Sequence, residues 1–517
     1  MRTQGARRWW ALAAVSLGVL AVGLDGTVLS VALPTLAKAL HASESDLQWF
    51  SSGYFLVLAA AMLPAGLLGD RYGHKKVLTI SLALFGLGSL ACAYSTSVGQ
   101  FLAARVLLGL AGAGVVVMAM SALTVLFSKE ERPKAVGIWA AANFLALPVG
   151  PILGGWLLTH FWWGWVFLIN APVAAVGVVA LVTLVPESKA AERPGFDVVG
   201  VALSVTGLVA LTYGLIEAGQ HGWGNAEAVL AMPAGIVVLV GFFVWERRLN
   251  RQPAGRPLLD LSLFGSASFT WGVFLAAFAV LSMIGVLFTM PQYFQGVLGT
   301  DAMGSGLRLL PVIGGLVLGA VPADRFVTLV GAKLVAAAGF TLLGLGLFVG
   351  STTAVGSSTL FVALWMGVVG VGMGLALATS TSAALVELTE ERSGVGSAVL
   401  QAVNKVGGPF GTAILGSVLT SIYLSRLALS GLPAAAASAV KQSVFDGVAV
   451  AQQIGSASLL RSVRIAFVDG MDMALLVSAG IALVGLVLTL MFLPRSNALR
   501  ENPPVEPVAE RELVGVN

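Results

Sequence analysis

Residues 66–76 read GLLGDRYGHKK. On one side stands YFLVLAAAMLPAGLLG (54–69), on the other VLTISLALFGLGSLACA (77–93). Asp70, Arg71, Lys75 and Lys76 therefore form a short charged break between two apolar runs. A helix that crosses a bilayer needs roughly 20 apolar residues, so the stretch reads as a tight turn where the chain leaves a membrane and re-enters it. The rest of the chain repeats the pattern. It has 517 residues, of which 57% are hydrophobic and 10% charged, whereas a soluble domain carries about 25% charged residues. The composition is that of an all-α polytopic membrane protein.

Fourteen apolar segments are expected, centred near residues 21, 57, 86, 111, 145, 174, 208, 236, 280, 313, 340, 369, 410 and 483. With the N-terminus inside, alternate breaks are cytoplasmic. Those breaks and the termini hold 21 of the 29 Lys and Arg, the outer breaks hold 6, and Arg105 and Lys405 fall within spans. This bias predicts an even number of spans with both termini cytoplasmic. It also explains a pI near 9.3 without nucleic acid as a partner. The opening MRTQGARRWW resembles the charged region of a signal peptide, but the apolar run that follows is long and lacks a cleavage pattern, so it is read as a retained first span. Cys92 is the sole cysteine. An intramolecular disulfide and a cysteine metal cluster are therefore excluded.

A second copy of the opening stretch occurs at 319–333, GAVPADRFVTLVGAK, with Asp-Arg again followed by Gly and Lys. If the two breaks correspond, spans 1–6 match spans 9–14, and spans 7 and 8 are an insertion. The expected organisation is a six-helix half at 1–190, two inserted helices at 191–256, a second six-helix half at 257–497, and a disordered cytoplasmic tail at 498–517. The long outer break at 424–468 has Val440, Val444, Val448, Leu459 and Val463 near helical spacing, which suits an amphipathic segment on the outer membrane surface.

The opening stretch resembles the cytoplasmic signature loop of the major facilitator superfamily, G-x-L-x-D-R-x-G-R-K-x. Gly66, Leu68, Asp70, Arg71, Gly73 and Lys75 match, and His74 replaces a basic residue. In the fifth span Gly137, Ala146 and GPILGG (Gly150, Pro151, Gly154, Gly155) resemble the family's antiporter motif G-x8-G-x3-G-P-x2-G-G, with Ala146 as a departure. Small residues on one face permit close helix approach, and the proline removes a backbone bond. LDGTVLSVALP (24–34), LQWFSSGYFLVLAAAMLPAGLLGD (47–70), WGWVFLINAPV (163–173), and PQYFQGVLG (291–299) before LPVIGG (310–315) narrow the resemblance to the fourteen-span drug:proton antiporters of the EmrB/QacA type. The family's Asn-x-x-Arg-Gln-x-Gly-Gly in span 13 is altered here to Gln401, Asn404, Lys405, Gly407 and Gly408.

A charge in mid-membrane costs about 2.5–3.5 kcal/mol on insertion scales, so a chain retains one for a reason. Asp25 lies about 13 Å from the outer end of span 1, counting 1.5 Å per residue back from Pro34. Burial and a nearby cation act on its proton affinity in opposite senses, so a partner that moves lets it load and release a proton. The resemblance implies the same role in proton coupling or cation recognition. Arg105 stays charged and can tune an acid without carrying the proton. Glu217, near the outer end of span 7, is an accessory candidate. Asp469 and Asp472 are read as beginning span 14, and Lys405 as either offsetting a carboxylate or disfavouring cations. Tyr54, Trp139, Asn143, Phe144, Gln292, Tyr293, Gln401 and Lys405 are candidates for a broad amphipathic pocket, with Met290 and Phe294 beside them.

The expected function is a proton-coupled multidrug exporter of the bacterial inner membrane. It would take lipophilic, cationic small molecules from the bilayer or cytoplasm and work as a monomer by alternating access, with the proton as coupling ion and no other cofactor or metal. The alternatives are a dedicated exporter of one antibiotic or metabolite and, more remotely, an integral membrane enzyme. His41, His74, His160 and His221 stand far apart, and HExxH, GxSxG and CxxC are absent, which disfavours the enzyme.

Overall fold

The computed structural model describes residues 2–127, 131–187, 197–252, 261–386, 390–429 and 431–494. Helix is the regular secondary structure throughout the described residues. In order these are α1 (Arg2–Leu40), α2 (Glu44–Tyr72), α3 (His74–Ala93), α4 (Val98–Leu126), α5 (Arg132–His160), α6 (Trp165–Leu168), α7 (Asn170–Leu184), α8 (Val198–His221) and α9 (Ala226–Asn250). They continue as α10 (Ala267–Gln292), α11 (Ala302–Arg308), α12 (Leu310–Ala320), α13 (Ala323–Val330), α14 (Ala332–Gly350), α15 (Thr359–Val386), α16 (Glu390–Arg426), α17 (Ala434–Gln442), α18 (Val444–Gln453) and α19 (Ala457–Phe492). Twelve helical stretches among the described residues are long and apolar enough to cross a membrane. Each of the fourteen expected centres falls inside a helix.

Helix starts are set by local chemistry. Ser43 and Asp46 form a reciprocal capping box on α2, and the side chains of Ser97, Asp197, Ser266, Asp301 and Ser456 each accept a first-turn N–H of the helix they precede. Each such cap stabilises by about 1 kcal/mol. The opening stretch is explained by one residue. Gly73 has φ 111° and ψ 132°, ending α2 and starting α3 at once. Its counterpart Gly331, between α13 and α14, has φ 90° and ψ 152°. A side chain rarely tolerates either conformation.

The helices pack in a repeating pattern. In the first group α1 neighbours α4, α5 and α7, α2 neighbours α4, and α3 neighbours α4 and α7. In the second, α10 neighbours α15, α16 and α19, α12 neighbours α15, and α14 neighbours α15 and α19. The groups meet along two seams, α2 with α16 and α5 with α11, and the α8–α9 pair rests on α16 and α2. The stretches at 188–196, 253–260 and 495–517, which hold the expected boundaries and tail, lie outside the described residues.

Arg7, Arg8, Arg71, Lys75, Arg247 and Arg248 mark one end of the bundle, here termed the basic end. The expected outer loop lies at the opposite end and differs from expectation. α16 runs to Arg426 and α19 begins at Ala457, so the break is shorter than 424–468. It contains α17 and α18. Val440, Val444, Leu459 and Val463 are buried in the protein instead of lying on a membrane surface, because the helix ends supply an apolar seat for them. Tyr423 Oη donates to Val440 O at 2.7 Å, and the Lys38 ammonium sits 5.8 Å from the Phe445 ring. Asp469 and Asp472 consequently lie well inside α19 rather than at its start, with Asp469 3.6 Å from Arg426.

Candidate functional site

Asp25 on α1 and Arg105 on α4 meet inside the first helix group. Arg105 Nη1 donates to Asp25 Oδ2 at 2.5 Å, and both side chains are fully buried. Arg105 Nε donates to Phe50 O at 3.2 Å, and its guanidinium carbon lies 4.1 Å from the Tyr54 ring centroid. Tyr54 Oη in turn donates to Val22 O, 3.3 Å away on α1. The approach depends on Gly109, where a Cβ would fall 2.8 Å from Tyr54 O. Among the described residues Asp25 Oδ1 and Arg105 Nη2 have no hydrogen-bond partner. The pair is neutral overall yet unsaturated. It can accept a proton on the carboxylate or exchange partners, chemistry that a saturated ion pair would resist.

The pair sits beneath a sealed end. Gln292 Nε2 donates to Glu44 Oε1 (3.1 Å), Gln295 Nε2 to Val31 O (3.1 Å), Gln48 Nε2 to Thr420 Oγ1 (3.2 Å) and Ser52 Oγ to Pro409 O (3.3 Å). All four bonds join the two helix groups, and all lie away from the basic end. Glu44, Gln48, Ser52 and Gln292 are buried, so the closure is made of desolvated polar groups. Glu44 was not singled out in the sequence, because its partner stands 248 positions away.

The glycines of α5 complete the seal. Thr27 Oγ1 donates to Ala146 O at 2.9 Å, and a Cβ at Gly150 or Gly154 would collide with Thr27 or Val28 of α1. A Cβ at Gly155 would stand 2.7 Å from Ala302 O, and one at Gly306 would stand 2.3 Å from Pro151 O, in the seam with α11. The helix thus clamps α1 and the other group together, as the spacing of small residues implies. The side chains of Asn143 and Phe144, and position 137, lie outside the described ones, as does the Asp70 side chain.

At the basic end the opening stretch is tied to its own group. Lys75 N donates to Glu187 Oε1 at 3.1 Å, Lys75 Nζ donates to Val182 O at 2.8 Å, and the Arg71 guanidinium lies 5.6 Å from the Tyr72 ring. Gly66 packs near Val117 of α4. The carboxylate at the α3 N-terminus is Glu187, where the helix dipole favours it.

The other candidates separate. Glu217 pairs with His221 at 2.7 Å on α8 and does not touch Asp25 or Arg105. The expected pocket divides into four. Tyr54 belongs to the ion pair, whereas Gln292 and Tyr293 are buried in the seal, with Tyr293 Oη donating to Ala354 O. Trp139 packs near Leu12, Leu123 and Phe127 at the basic end. Gln401 is exposed and Lys405 partly so, with the ammonium 5.8 Å from the Phe55 ring. A separate cavity of about 480 Å³ lies at the sealed end, where Lys38, Asp301 and Arg464 are among its lining residues.

Paired helix groups, mirrored glycine turns and a small-residue clamp agree with a model of the "Major Facilitator Superfamily" that matches residues 15–412. The chain belongs to the major facilitator superfamily. Like other facilitators it is a transporter in a bacterial membrane and not an enzyme. It is 32% identical over 496 residues to the tetracenomycin C resistance and export protein of Streptomyces glaucescens, covering 94% of this chain and 91% of that one. It is 34% identical over 497 residues to the multidrug efflux pump LfrA of Mycolicibacterium smegmatis, covering 93% and 96%. The facilitator fold is shared with a bacterial homologue of the human lysosomal transporter Spinster in an inward-facing, unoccupied conformation, with TM-score 0.68, 14% identity, and 94% and 98% of the two chains covered.

Proposed function

We propose that this facilitator is a proton-coupled exporter of lipophilic drugs. In this reading it has fourteen spans in two six-helix halves with α8 and α9 inserted, and both termini are cytoplasmic. The basic end then faces the cytoplasm, in keeping with the distribution of Lys and Arg. The conformation described is closed to the outside, and the α2–α16 seam is the path by which substrate enters from within. Outward release requires that the Gln292–Glu44 and Gln48–Thr420 bonds break while the basic end closes.

The observation that carries the proposal is the unsaturated Asp25–Arg105 pair, fully buried beneath that closure. A proton entering from outside lands on Asp25, weakens its hold on Arg105, and is released to the cytoplasm once the halves have rocked. Export by the tetracenomycin C and LfrA relatives supports drugs as the cargo. The former also supports a second reading, a dedicated exporter of one antibiotic.

Expression in a pump-deficient host tests both. Survival on several unrelated dyes and antibiotics, lost when an ionophore collapses the proton gradient, is the expected result. Protection against a single compound would favour the dedicated exporter. Efflux that persists without a proton gradient would overturn the coupling.

A further inference from the structure

The seam between α2 and α16 carries a cation that the coupling scheme does not use. On α16, positions 405, 408, 416 and 420 recur at helical spacing and face α2. A Cβ at Gly408 would meet the Phe55 ring at 3.6 Å, one at Gly416 would meet Gln48, and Thr420 accepts the Gln48 bond. Lys405 is the member of this stripe nearest the basic end. The bonds that close the seam, at Gln48 and Ser52, lie on the far side of it. Its ammonium stands over Phe55 at 5.8 Å, and among the described residues no carboxylate lies within ion-pair distance. Beside it Asn404 keeps a buried Oδ1 with no partner among the described residues, and one turn further Gln401 is exposed.

Asp25, a buried acid of the first half, is already committed. The Tyr54 and Phe55 rings are 5.1 Å apart and edge-on, with Arg105 over the first and Lys405 over the second. Asp25 is bound to Arg105 inside the first half, so among the described residues Lys405 is a cation on the seam with no carboxylate paired to it. An ammonium in a partly desolvated seam attracts an anion strongly and repels a cation, and the Phe55 ring beside it is partly exposed.

We propose that Lys405, with Phe55, Asn404 and Gln401, reads the charge of the substrate, and that the compounds exported are planar aromatics bearing an acidic group, a carboxylate or a phenolate. The acidic group meets the Lys405 ammonium, and the rings lie against Phe55. This reverses the cationic class that Asp25 suggests when read from the sequence alone, because Asp25 is not available to the substrate while Arg105 holds it. The inference rests on the export reading and concerns its substrate class.

Three probes share one ring and differ in charge: pyrenebutyrate, pyrenebutyramide and pyrenebutylamine. Binding to the purified full chain in nanodiscs, read by pyrene fluorescence, is expected to favour the acid over the amide by about tenfold or more, the range a charged hydrogen bond supplies. The amine is expected to bind weakest. Lys405→Arg keeps the order. Lys405→Gln loses about tenfold for the acid and leaves the amide within about twofold, and Lys405→Glu turns the preference toward the amine. Equal binding of all three probes by the wild type, or preference for the amine, overturns the inference, as does failure to bind any. An equal loss of acid and amide in Lys405→Gln also overturns it, because it marks Lys405 as structural. Uptake of the same probes into everted vesicles separates the two readings. Uptake without charge preference leaves export standing and overturns the substrate class, whereas acid-selective binding with no uptake overturns export and upholds the anion site.

Discussion

Asp25→Asn removes a charge while keeping the shape of the side chain, which makes it the sharpest test of the buried pair. Arg105 is fully buried and donates to Asp25 at 2.5 Å, so the variant strands a cation in a desolvated site. Breaking one partner of a buried pair costs about 3–5 kcal/mol. The asparagine carbonyl can still accept from Arg105 Nη1, which restores about 1 kcal/mol and leaves a loss of about 2–4 kcal/mol. Arg105→Gln alone should be similarly destabilising. The double variant places two neutral amides in contact and is expected to fall short of the summed losses by about 1–3 kcal/mol. Denaturant melts of the purified protein in detergent measure all three. In proteoliposomes carrying a pH-sensitive dye, substrate added to the wild type should release protons, and Asp25→Asn should abolish that release. Additive melts would show that the pair is not energetically coupled. Substrate-driven proton release by Asp25→Asn at the wild-type rate would refute the role assigned to this carboxylate.

Three further outcomes follow from the packing. Gly155→Val places side-chain carbon against Ala302 O in the α5–α11 seam, and resistance should be lost while membrane levels stay normal; unchanged resistance would show that the seam does not close in transport. Glu44→Ala deletes the acceptor for Gln292, so a cysteine placed at Ser52 in a Cys92→Ser background should label several-fold faster with an impermeant maleimide from outside, and unchanged labelling would refute a gate at Glu44. Gly73→Ala forces a side chain into φ 111° beside the Glu187 carboxylate and should destabilise by about 1–3 kcal/mol in a thermal melt, whereas an unaltered melt would show that the turn relaxes freely.

Much of the architecture was legible because its causes are local. The cost of placing peptide groups and charges in lipid acts on each segment separately, so apolar runs and charged breaks located the helices, and each expected centre falls in one. Glycine spacing in α5 was equally readable, since close approach excludes side chains whatever the neighbour is. The segment after α16 shows where local reasoning stops. Its apolar spacing suits a membrane surface and a protein surface alike, and the ends of α1, α16 and α19 are what turn Val440 and Val444 inward.

The sequence by itself determined that the chain is a helical facilitator, that Asp25, Arg105 and Lys405 are costly residues within spans, and that small residues line one face of the fifth. Only the tertiary structure decided how the charges are shared. Arg105 takes Asp25 from 80 positions away, Gln292 takes Glu44 from 248, and Lys405 is left facing Phe55 across the seam. Insertion cost is a property of one helix, whereas pairing depends on which helices the fold brings together, and composition and periodicity carry no record of that.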